Sequence, residues 1–70
     1  MKPISGKRFI KILESHGWVF SRIQGSHSIY TKTGHEGTIS VPIHGNKLLK
    51  IGLLKHLMRI AGLSEDDIQK

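Results

Sequence analysis

The sequence predicts a small α+β domain in the order α-β-β-β-α, with a three-stranded antiparallel sheet and two helices on one of its faces. Three observations carry this reading. Apolar residues recur at helical spacing near both ends of the chain, and runs rich in β-branched and aromatic residues fill the middle. The connections between these segments are short and hold glycine. Short connections favour an antiparallel meander, and two amphipathic helices need a shared apolar surface to cover. At 70 residues the chain forms one domain, spanning 1–70, with a modest core.

Ser5 is placed to cap a first helix over roughly residues 6 to 16. Phe9, Ile12, Leu13 and His16 share one face of it, while Lys7, Arg8 and Lys11 fall largely outside that stripe. Gly17 suits a left-handed stop. Trp18 to Ile23 reads as a strand, Gln24-Gly25-Ser26 as a turn, and His27 to Lys32 as a second strand. Thr33 to Gly37 makes a hairpin loop. Thr38 to Ile43 is the third strand, with Ile39, Val41 and Ile43 alternating against Thr38 and Ser40. Pro42 lacks an amide donor, which puts this strand at a sheet edge or at its own end. His44 to Lys47 is a loop. The second helix begins between Leu49 and Leu53 and stops at Gly62, with Ile51, Leu54, Met58 and Ala61 along one face and Leu57 widening it. Ser64 opens an acidic turn, with Asp67 at the capping-box spacing.

Eleven basic residues stand against five acidic ones, for a formal net charge of +6. Three of the acids, Glu65, Asp66 and Asp67, sit together near the end of the chain. The body of the domain is therefore more basic than its net charge, and nucleic acid is the leading partner class. With no cysteine, disulfides and thiolate metal sites are excluded. The N-terminus has no apolar core of a signal peptide, and no apolar run approaches the ~20 residues of a membrane span. A cytoplasmic protein is expected, with no membrane partner. Phosphate-binding loops, dinucleotide fingerprints and hydrolase elbows have no counterpart here, so no cofactor and no small-molecule partner are expected. The five histidines, at 16, 27, 35, 44 and 56, include no close ligand pair, so no metal is expected either. A core this small leaves no room for a deep cavity, so the ligand is large and the site is a shallow surface.

Within that surface, Gly25-Ser26-His27 delivers a histidine from a turn onto the second strand. Histidine exchanges protons near neutral pH, and Gly25 leaves the backbone before it open to approach. Alternation sets His27, Ile29 and Thr31 on one face and Ser28 and Tyr30 on the other, but both faces carry an apolar residue, so the pattern does not say which is buried. From the residues alone, His27 is as readily a hydrogen-bonded structural histidine as a catalytic one. A second cluster, His44, Gly45, Asn46, Lys47 and Lys50, precedes the second helix, where free amides and the helix dipole favour phosphate. Arg22, across the turn from His27, together with Lys7, Arg8, Lys11 and Lys32, would complete a basic rim.

The run Gly17-Trp18, Arg22, Gly25-Ser26-His27, Ile29-Tyr30, Val41-Pro42, His44, Gly52-Leu53-Leu54 and Ala61-Gly62 resembles the HicA toxins of bacterial HicA–HicB toxin–antitoxin pairs. The resemblance implies a fold like that of double-stranded-RNA-binding domains. It implies an endoribonuclease that cuts mRNA and arrests translation, with His27 as the catalytic histidine. It also implies a HicB-like antitoxin that binds the protein and blocks its active surface. His44 matches a frequent position of the family. Arg22, Gly25, Ser26, His44, Lys47 and Lys50 are the expected RNA-binding residues, and His27 acts on the ribose 2′-hydroxyl without a metal. The competing expectation is a non-catalytic module that binds structured RNA by shape and phosphate contacts.

Overall fold

A computed structural model describes residues 1–69. The elements run α1 (Gly6–Ser15), β1 (Val19–Gln24), β2 (His27–Thr31), β3 (Ile39–Pro42), α2 (Ile51–Ala61) and α3 (Glu65–Ile68). The three strands form one antiparallel sheet in the order β1-β2-β3. This is the α+β layout of double-stranded-RNA-binding domains, with a short third helix added. Pro42 closes β3, which is an edge strand, as its missing amide requires.

Local signals set the helix ends. The Ser5 side chain accepts a hydrogen bond from the Arg8 amide at 3.1 Å, which caps α1. Gly62 takes a φ of 71°, a left-handed conformation that glycine adopts without penalty, and ends α2. His16 is not on the buried face of α1. The helix stops at Ser15, and His16 caps it with its imidazole 3.6 Å from Asp67.

One face of the sheet meets both long helices. Phe9 and Leu13 of α1, Leu54, Leu57 and Met58 of α2, Tyr30 of β2, and Ile39 and Val41 of β3 form the core. Trp18 joins them, buried ahead of β1 instead of lying within it as the strand pattern suggests. Its ring meets the His35 ring edge-on at 4.8 Å. β1 itself is exposed along its whole length, and Val19, Phe20 and Ile23 reach solvent. Among the described residues, no helix is long and apolar enough to cross a membrane.

The start of α1 lies hard against β3. A Cβ built on Gly6 would stand 2.5 Å from the Pro42 carbonyl oxygen and 2.8 Å from Ile43 Cδ1. The first contact is with backbone, so one of the two elements must shift to admit a side chain. Gly6→Ala should therefore lower stability by about 1–3 kcal/mol in a denaturant titration, despite the roughly 1 kcal/mol gain in helix propensity.

Candidate functional site

Among the described residues, the second face of the sheet carries no helix. Its side chains follow from the strand register. Gln24 of β1, His27 of β2 and Pro42 of β3 form one row, and Arg22, Ile29 and Ser40 form the next. A bulge between Phe20 and Arg22 takes up one residue of β1, and beyond it Val19 pairs with Thr31. The bulge is what brings Arg22 to the same face as His27. Without it, simple alternation from Val19 would turn Arg22 to the helix side.

His27 begins β2 directly after the two-residue turn Gly25-Ser26, in which Gly25 takes a φ of 62°. Among the described residues, no atom lies within 4 Å of a Cβ built on Gly25, so the approach to the turn is open. The imidazole is exposed, and its Nδ1 lies 2.9 Å from Ser40 Oγ. Gln24, His27, Ile29 and Ser40 line a shallow depression, whose floor is the buried Ile29. Ile29 is separate from the main core, on the open face.

The second cluster lies next to the first. Pro42, the cross-strand neighbour of His27, also walls a cleft with His44, Lys47, Leu48, Leu49, Lys50 and Leu53. The backbone of that wall is anchored, because Ile43 donates to the Ser26 carbonyl and Leu49 to the Ile4 carbonyl, each at 2.8 Å. His44, Lys47 and Lys50 are all exposed there. The structure thus sets Arg22, Gly25 and Ser26 on one side of His27, and the His44–Lys50 segment beyond Pro42 on the other.

The wider basic rim does not close around this site. Lys7, Arg8 and Lys11 belong to α1, which packs on the other face of the sheet. Lys32 lies past the far end of β2, with its Nζ 6.0 Å from the centre of the Trp18 ring. Ser40, which contacts His27, carries no local signal in the sequence. Its alternation with Ile39 and Val41 gives its face, but only the β2–β3 register brings it to the imidazole. Among the described residues, no group of three or more histidine, aspartate or glutamate side chains is arranged to hold a metal ion.

On the helix side, Tyr30 supports β2 from below. Burial pushes its phenol above the ordinary tyrosine value, and the negative charge of Glu14 and a hydrogen bond donated to Glu14 Oε2 at 3.4 Å act in the same sense. The folded state therefore holds this proton more tightly than the unfolded chain. Its contribution to stability is complete below about pH 10 and is lost as pH rises through the folded value. Melting curves from about pH 9 to 11 should show a steeper alkaline loss for the native chain than for Tyr30→Phe.

An exposed histidine on the open sheet face, between cationic segments and on a double-stranded-RNA-binding-type fold, defines a small α+β protein with a shallow surface site. The family model for the HicA toxin of bacterial toxin–antitoxin systems matches residues 6–63, and the chain belongs to that family. It is a toxin of a toxin–antitoxin pair, and an antitoxin is its partner by class. No curated protein matches the chain.

Proposed function

We propose that this toxin is an endoribonuclease that cuts mRNA, with His27 as its general base. The observation that carries the reading is the placement of His27: exposed, on the helix-free face, hydrogen-bonded through Nδ1, with Arg22 in the next row. When Nδ1–H donates to Ser40 Oγ, Nε2 presents its lone pair to solvent. Nε2 takes the proton of a ribose 2′-hydroxyl, O2′ bonds to the adjacent phosphorus, and the bond from phosphorus to O5′ breaks. The products are a 2′,3′-cyclic phosphate and a 5′-hydroxyl. The proton for O5′ comes from His44 in the adjoining cleft or from water. Arg22, Lys47 and Lys50 hold the phosphate and offset its growing negative charge. Gly25 and Ser26 let the strand approach the turn closely, and phosphate contacts of this kind carry little sequence preference.

This chemistry requires the 2′-hydroxyl and calls for no metal. The test is incubation of one sequence as RNA and as DNA, in the presence of a chelator. RNA should be cut to cyclic-phosphate ends and DNA left whole. Binding without cutting would leave the protein a structured-RNA-binding module instead.

Ser40 holds the angle of the imidazole, so it acts as a positioning residue. One neutral hydrogen bond of this type contributes about 0.5–1.5 kcal/mol, so Ser40→Ala should slow cleavage by roughly two- to tenfold. Ser40→Thr, which keeps the hydroxyl, should restore most of the rate, and RNA affinity should be unchanged in both. A HicB-like antitoxin would silence the toxin by covering this face, where the exposed Val19 adds an apolar contact beside the cations.

A further inference from the structure

We infer that the cleft between Pro42 and α2 seats an unpaired nucleobase next to the scissile phosphate, which makes single-stranded RNA the substrate class. The inference rests on the ribonuclease reading above and narrows it.

The cleft has two chemical characters. Its walls are apolar: Pro42, Leu48, Leu49 and Leu53. Its polar residues are His44, Lys47 and Lys50, with no acid among them. Leu48 and Leu53 are 54% and 36% exposed, so the cleft presents apolar side chains to solvent beside its cations. A ligand that satisfies both characters has a flat apolar part joined to an anion, as a nucleotide has.

The cleft is also preformed. Ser5 and Leu48 make an isolated antiparallel bridge, and the Leu49 amide is tied to Ile4. An anchored wall loses little freedom on binding, so contact area converts more fully into affinity.

Position completes the argument. Pro42 is both a wall of the cleft and the register partner of His27, so one nucleotide can occupy the cleft while a neighbouring linkage lies at the imidazole. In an A-form duplex the base faces are stacked on each other and none is free to enter. Only an unpaired strand offers one. The fold class, known for duplex shape, is therefore used here on a surface that suits a single strand.

The test measures binding of 2′-O-methyl RNA, which cannot undergo attack by the 2′-hydroxyl. Affinity is thus read apart from cleavage and from the role of any catalytic residue. The probes are one oligonucleotide as a single strand, the same strand in a duplex, and the same strand with its bases removed at successive positions. The native chain should bind the single strand about tenfold tighter than the duplex at equal salt, and one abasic position should lose most of that advantage. Leu48→Ser and Leu53→Ser should each weaken single-strand binding severalfold, with duplex binding and the salt slope unchanged. Leu48 is the more exposed, so its variant serves if Leu53→Ser fails to fold. Lys47→Ala should weaken both forms and flatten the salt slope. Equal affinity for single strand and duplex, with no response to the leucine variants, overturns the base seat and points to a protein partner for the cleft. Absence of binding to any RNA overturns the ribonuclease reading itself.

Discussion

His27→Ala should reduce RNA cleavage by about 10²- to 10⁴-fold, the range that a positioned general base contributes. The fold should survive the change. The side chain is exposed, and its recorded hydrogen bond is the one to Ser40. RNA affinity should stay within a few-fold, because Arg22, Lys47 and Lys50 remain in place. Expression of the native chain alone should arrest growth, and expression of the variant should not. A double-mutant cycle ties the pair together. Once His27→Ala has removed the imidazole, Ser40→Ala should have no further effect on the residual rate, because Ser40 acts through the ring it orients. Full cleavage by His27→Ala would move the chemistry elsewhere and leave His27 as a structural residue of the turn.

Much of this arrangement is legible in the sequence, for local reasons. The helical faces of α1 and α2 rest on repeats at three and four residues, and Ser5 and Gly62 act at their ends through their own chemistry. The same reasoning reaches the Gly25-Ser26-His27 step, because a tight turn after one strand must place its next residue at the start of another. It fails where long-range pairing decides. Ile29 and Tyr30 are adjacent, both apolar and both buried, yet Tyr30 lies in the helix-covered core and Ile29 under the open face. Alternation puts the two on opposite faces but does not say which face the helices cover. The packing of α1 and α2 does. β1 has a propensity signal and no burial pattern, because an edge strand beyond the helices is exposed on both sides. Aromatic propensity draws Trp18 into that strand, whereas its size takes it into the core one residue earlier. The site divides in the same way. His27 and the His44–Lys50 segment each stand out locally, but their meeting at Pro42, the contact with Ser40 and the leucine walls of the cleft are products of long-range packing.

The last turn of the chain reads in sequence as an acidic turn opened by Ser64, and the structure gives it a larger part. Ile68→Ala should therefore be among the most destabilising changes in the protein. Ile68 is 1% exposed and belongs to the main core, although it lies beyond the family match, which ends at residue 63. Its helix has only four residues and is held from outside. The Ser64 amide and hydroxyl donate to Asp67 Oδ2 at 2.8 and 3.0 Å, Asp67 also faces His16 of the α1 cap, and Gln69 donates to the Lys2 carbonyl at 3.3 Å. Truncating a buried isoleucine to alanine costs about 2–5 kcal/mol. A 70-residue domain has roughly 4–10 kcal/mol in total, so this one side chain carries a large share of it. The denaturant midpoint should fall accordingly, with little change in slope. Asp66→Ala, an exposed neighbour, should stay within about 0.5 kcal/mol of the native chain. Equal effects from the two variants would mean that α3 is not part of the core. Because α3 packs against α1, across the sheet from His27, Ile68→Ala should act on cleavage only through the folded fraction. Activity per folded molecule should remain that of the native protein.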